Sequence, residues 1–126
     1  MDIKTYFDSA KGIGVLATSD ENGHVDSAMY ARPTVMEDGT VAFIMNDRLS
    51  HKNLQSNPRA VYLFMEEGPG YKGKRIHLVK VREEKDSPLI AELSRRSPSK
   101  EREHQSKGPK FLVYFEIEKE RPLVGG

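Results

Sequence analysis

The chain contains no cysteine. Disulfides, thiolate nucleophiles and cysteine-ligated metals are therefore excluded. It also has little net charge. Twenty Lys and Arg against 19 Asp and Glu leave a formal +1, too little for the broad field that gathers nucleic acid or anionic membrane. No apolar run approaches the roughly 20 residues that span a bilayer. The opening Met1-Asp2-Ile3-Lys4 has neither the basic region nor the apolar stretch of a secretory leader, so a cytoplasmic location is expected. No internal repeat is present. The four histidines, His24, His51, His77 and His104, are scattered without ligand spacing, and no metal site is expected. A Gly-x-Ser-x-Gly elbow and Ser-His-Asp spacing are both missing. No catalytic side chain is assigned, and any catalysis is expected to come from a bound cofactor.

What is present is a 126-residue chain, 37% hydrophobic and 31% charged, of a size for one domain, 1–126, with one core. Residues 2–10 set Ile3, Tyr6, Phe7 and Ala10 at helical spacing, with Asp2 as N-cap and Gly12 as stop. Residues 13–18 read as a buried strand, and Asn22-Gly23 as a tight turn. The spacing predicts a second strand through 24–36, a turn at Glu37-Asp38-Gly39 and a third strand over 40–46, together an antiparallel meander. A short helix over 48–56, with Leu49 and Leu54 on its apolar side, ends at Asn57-Pro58. Strands are expected at 60–65, 74–83 and 111–118. Between the last two lies a helix capped by Asp86 or Ser87, with Leu89, Ile90 and Leu93 inward, ending near Arg96. Residues 97–110 read as a polar loop. The basic stretch 95–102 is interleaved with glutamate and lacks aromatics, the pattern of a solvated segment and not of a nucleic-acid patch. The expected class is mainly β: a six-stranded antiparallel barrel with short helices at its rim. So small a barrel is filled by its own side chains, so a cofactor must lie in a surface groove or at a subunit interface.

One stretch stands out as a candidate site. The strand ending at Met45-Asn46 feeds a helix that starts with Ser50, His51, Lys52 and Asn53. A strand leading into a helix N-terminus with a hydroxyl and a cation is suited to hold a phosphate. Local spacing alone favours a plainer reading, a helix cap with a solvated lysine. His51 reads as a donor to a ligand, as an acid or base, or as a surface residue. In the second strand, Ser27 and Ala28 are small residues beside Met29, which lets a flat ring approach the backbone; ordinary barrel packing explains them as well. Arg32 lies on the same face as Tyr30, able to pair with a carboxylate or to reach an anion. The glycine-rich segment 68–73 either brings backbone close to a ligand or partner or is a plain surface loop.

Taken in order, these features resemble the FMN-binding split barrels related to pyridoxamine 5′-phosphate oxidase. The likeness is carried by Gly14-Val15-Leu16-Ala17-Thr18, the turn at 20–23, His24-Val25-Asp26-Ser27-Ala28-Met29, and Gly39-Thr40-Val41-Ala42-Phe43-Ile44. Its most specific part is Ser50-His51-Lys52-Asn53-Leu54 followed by Asn57-Pro58-Arg59-Ala60-Val61. It spans roughly residues 12 to 82 and the last strand. The resemblance implies a Greek-key split barrel that forms a homodimer with FMN at the interface, acting as an oxidoreductase or electron-transfer protein on a small molecule or redox protein. It implies that Ser27, Ala28 and Met29 line the flavin or ribityl chain, that Met45 and Asn46 lie beside the ribityl–phosphate part, and that Ser50, His51, Lys52 and Asn53 bind the phosphate. Residues near Tyr71 or the C-terminal tail would reach the partner's cofactor. Where the family commonly carries Arg-Lys, this chain has His51-Lys52, one fixed charge fewer. Related barrels use a deazaflavin or haem, and a cofactor-free binding or stress-related module is the alternative from another class.

Overall fold

The computed structural model describes residues 2–95 and 108–125. The expected loop over 97–110 falls mostly outside these residues, as do His104 and most of the basic stretch 95–102. Helix α1 is Ile3–Ser9, and the Asp2 carboxylate accepts from the Thr5 amide at 2.8 Å, which makes it the N-cap. Strands β1 (Gly12–Ser19) and β2 (Val25–Met29) follow, then β3 (Thr34–Val35), β4 (Val41–Asn46), helix α2 (Leu49–Ser56), β5 (Arg59–Glu66), β6 (Gly73–Lys85), helix α3 (Leu89–Arg95) and β7 (Lys110–Pro122). All strand pairs are antiparallel, in one seven-stranded sheet of order β2-β1-β5-β6-β7-β4-β3.

The mainly β expectation is met, but the sheet has seven strands instead of six, and the meander is corrected. The stretch 24–36 is not one strand. Its first part pairs with β1, and Thr34 and Val35 pair with β4, on opposite edges of the sheet. Pairing with β1 persists through the Tyr30 amide, which donates to Gly14 O at 3.0 Å. It ends before Pro33, which has no N–H to give. Arg32 then turns its guanidinium onto the carbonyls of Phe7 and Ala10 at the end of α1, satisfying acceptors that a helix C-terminus leaves open.

This break determines the shape. Residues 30–33 are all that joins one edge strand to the other. From Met29 to Thr34 the chain reaches at most about 18 Å, whereas the edges of a flat seven-stranded sheet lie about 29 Å apart. The sheet must curl until its edges meet. The rings of Phe43 on β4 and Tyr62 on β5 then sit 5.0 Å apart, although β6 and β7 separate their strands in the sheet. Phe7 of α1 closes one end of the barrel, edge-on to Tyr62 and Phe64. The long strands β6 and β7 accommodate the curvature through irregularities between His77 and Leu78 and between Lys80 and Arg82.

Alternation fills the barrel. Leu16, Val41, Phe43, Met45, Tyr62, Phe64, Ile76, Leu78, Val113 and Phe115 point inward and are buried, with Leu54 of α2 packed on them. A smaller cluster lies on the outer face, where Ile90 and Leu93 of α3 cover Ala42, Leu112 and Tyr114. Leu49 and Leu89, both expected to be inward, are 51% and 38% exposed: each is the first residue of its helix, where the chain has not yet turned onto the barrel.

Gly14 shows how tightly the interior is fitted. The Tyr62 hydroxyl donates to Tyr30 O at 3.0 Å, and a Cβ on Gly14 would lie 1.8 Å from that hydroxyl oxygen and 2.7 Å from that carbonyl oxygen. Gly14→Ala is expected to cost about 1–3 kcal/mol through overpacking, read as a lowered urea midpoint with unchanged slope.

Candidate functional site

The edges of the sheet meet beside the N-terminus of α2, leaving a cavity of about 690 Å³, within the range of cofactor sites. Its walls come from several elements. Gly12, Ile13 and Gly14 belong to β1, Asp26, Ala28 and Met29 to β2, and Tyr30, Ala31 and Arg32 to the crossing. Asn46, Arg48, Leu49 and Ser50 come from the junction of β4 with α2, and Leu93 and Lys110 from α3 and β7.

The β4–α2 junction is the polar end. Arg48 occupies the N-cap position without a side-chain cap bond, so the first N–H groups of the helix meet no capping oxygen from it. Lys110 lies opposite Asn46 in the β4–β7 ladder, and its ammonium donates to Asn46 Oδ1 at 3.1 Å. Ser50 is buried and hydrogen-bonded to the Tyr30 phenol. Burial pushes that phenol up; the Ser50 bond opposes the shift and the Asp26 charge adds to it. Two cations, a hydroxyl and an amide thus converge on one end. Gly12, Gly14 and Ala28 form the small-residue part of the β1–β2 wall. This donor set suits a ligand with an anionic tail and a flat body, and FMN fits that description.

The residues expected from the sequence divide sharply. Ala28, Met29, Asn46 and Ser50 line the cavity. Ser27 is exposed on the opposite face of β2 from Ala28. Met45 is fully buried in the barrel interior, one residue and one face away from Asn46. Lys52 is exposed and forms no part of the cavity wall. Asn53 is buried, donating to Thr18 Oγ1 at 3.1 Å, which fastens α2 to β1. Tyr71 is 76% exposed in the β5–β6 loop.

His51 is drawn inward. Its ring stacks on Phe111 at 3.8 Å and 16°. Nδ1 lies 3.1 Å from Asp47 Oδ1, and Nε2 lies 3.0 Å from Glu83 Oε2. Gln55 donates to the other Glu83 oxygen at 2.9 Å, and Lys80 joins it there. Burial alone would raise the Glu83 carboxyl, but hydrogen bonds from Lys80, Gln55 and His51 outweigh it and hold the group down at about 2.

Arg48 and Lys110 were not singled out by sequence reasoning. Arg48 adjoins the phosphate-like stretch and was readable as a cation at a helix start. Lys110 is 64 residues from its partner Asn46, and only strand pairing brings it in. Among the described residues, no group of three His, Cys, Asp or Glu side chains is arranged to hold a metal ion, and no helix is long and apolar enough to cross a membrane.

Neither family models nor curated proteins match the chain. Solved structures do. An FMN-binding protein from Syntrophomonas wolfei superposes with a TM-score of 0.76 at 15% identity, covering 96% of this chain and 83% of that one. HutZ, the heme storage protein from Vibrio cholerae, gives 0.72 at 20% identity, with 95% and 91% covered. An F420 reductase gives 0.69 at 10% identity, with 96% and 98% covered. The fold is the split barrel shared by FMN-binding and pyridoxamine 5′-phosphate oxidase-like proteins.

The Glu83 cluster has a consequence for acid stability. Its carboxyl is held at about 2 against an ordinary 4.5, so its contribution is fully present above 4.5 and is lost as the pH falls toward 2. Urea midpoints measured from about pH 6 to 2 are expected to fall less steeply in Glu83→Gln than in the wild type.

Proposed function

We propose that the chain binds FMN non-covalently, with the phosphate at Arg48, Ser50 and Lys110 and the ring toward Gly12, Gly14, Ala28 and Met29, and that it works as a flavin-dependent oxidoreductase or electron-transfer protein. The observation that carries this reading is the convergence of Arg48, Ser50 and Lys110 at one end of a cavity whose other wall is built from small and apolar residues. The split-barrel fold supports it. Bound FMN would supply one- and two-electron chemistry. The chain's own part is to neutralise the phosphate with two cations and to hold the ring against the β1–β2 edge.

A second copy of the chain is proposed to complete the site. Ile13, Val25, Met29 and Met65 are 48, 82, 72 and 36% exposed. Register puts Met29 beside Val15 and Ile13 beside Met65 on the outward face of the sheet. Ile13 and Met29 also line the cavity, so a partner seated on this apolar face would cover the ring end and exclude water from it.

Titration of the purified protein with FMN, followed by quenching of flavin fluorescence, tests the first proposal, and competition with F420, FAD and haem tests the choice of cofactor. Arg48→Ala is expected to weaken FMN binding by about 1.5–3 kcal/mol, the worth of a charge-assisted contact, and Lys52→Ala by much less. Wild-type affinity too weak to saturate at millimolar FMN would sink the reading. Sedimentation equilibrium tests the second: the wild type is expected to be a dimer and Met29→Glu a monomer with the same circular dichroism.

A further inference from the structure

Among the described residues, Asp26 is the one acidic side chain in the cavity wall. Its carboxylate has no hydrogen-bond or ion-pair partner among those residues, Arg48 and Lys110 included. The strand period puts Asp26 on the face of β2 that Ala28 shares, about 7 Å further along. Register sets it opposite Thr18, the residue that Asn53 of α2 holds. Its charge acts on the Tyr30 phenol, which is bonded to Ser50. Asp26 thus stands on the α2 side of the wall read for the ring, toward the end where Ser50 lies. It is half-buried, and its remaining contact is with water in the cavity. A ligand that displaces this water has to replace it with a donor, because a carboxylate only accepts and is costly to bury unpaired. FMN meets that demand: the chain between its ring and its phosphate carries hydroxyls, each a donor. F420 has a chain of the same kind. Haem has none, and its polar groups are carboxylates, which an aspartate repels.

We propose that Asp26 is a specificity-determining residue: its carboxylate accepts from the hydroxylated chain that joins ring to phosphate and disfavours an acidic ligand without donors, so that the cavity takes flavin or deazaflavin nucleotides in preference to haem. This rests on the reading that the cavity takes FMN. Arg48 and Lys110 alone suit any anion of the right size. Asp26 adds the condition that the ligand also donates, and the repulsive half of that condition is what rejects haem.

The test sets FMN against an FMN analogue whose linking chain is plain pentyl, with ring and phosphate unchanged, and against haem, in wild type, Asp26→Asn and Asp26→Ala. Flavin fluorescence reports the first two affinities and haem absorbance the third. Wild type is expected to prefer FMN over the analogue by about ten-fold, the worth of a hydrogen bond to a charged group. Asp26→Asn keeps an accepting oxygen without the charge and is expected to lose part of that preference. Asp26→Ala is expected to lose most of it, through weaker FMN binding with the analogue little changed, and to bind haem several-fold more tightly than wild type does. No preference for FMN in wild type, a comparison that requires no variant to fold, overturns the inference. So does a preference that Asp26→Ala leaves unchanged, or haem bound no more tightly by that variant. An equal loss of FMN, analogue and haem in Asp26→Ala marks a distorted wall and overturns it too. In each of these cases FMN still saturates the wild type and the reading beneath stands. Failure of wild type to take up FMN overturns both.

Discussion

The crossing at residues 30–33 is the constraint on which the architecture depends. It joins the two edges of a seven-stranded sheet over a distance too short for any flat arrangement. Curling follows, and with it the packed interior. The crossing is anchored on both sides. Arg32 holds it to the end of α1 through two carbonyls, and the Tyr62 hydroxyl holds Tyr30 from within the barrel. Three of these four residues, Tyr30, Ala31 and Arg32, then form part of the cavity wall. Closing the fold and building the site are one event, so a side chain at Gly14 would disturb both.

Most of the fold was legible because period-two alternation and turn chemistry are local signals. The strand at 40–46, the cap at Asp2 and the stop at Asn57-Pro58 need nothing beyond their neighbours. The break in 24–36 was not legible in the same way. Pro33 forbids one ladder bond, but which edges the two halves join depends on β4, β7 and the closure of the whole sheet. Lys110 was hidden for a similar reason, since its place beside Asn46 exists only once β4 and β7 pair.

The site was half legible. Ser50, His51, Lys52 and Asn53 sit about 100° apart around one helical turn and cannot all face one ligand. Ser50 faces the cavity, Asn53 grips Thr18, Lys52 is in water and His51 stacks on Phe111. Met45 and Asn46 divide by the strand's period of two in the same way, as do Ser27 and Ala28. Polar residues that look like ligand contacts in sequence are in part the fastenings that hold the helix in place. A buried asparagine or histidine on a short helix has to find partners, and here the barrel wall supplies them.

The shared fold does not select the ligand. Proteins named for FMN, for F420 and for haem superpose on the chain at 10–20% identity, so the choice must come from side chains at the cavity. The cations there are held with some rigour. The Lys110 amide donates to Asp86 Oδ1 at 3.0 Å, and the Asp86 amide donates back to Lys110 O at 2.7 Å. Asp86 reaches this position at φ 51°, a left-handed conformation that aspartate tolerates better than most residues. This reciprocal pair ties the turn before α3 to the start of β7 and fixes the backbone from which the Lys110 ammonium reaches Asn46. Arg48 is held through its backbone as well: its amide donates to Asn46 O and its carbonyl accepts from the Lys52 amide, both at 2.9 Å.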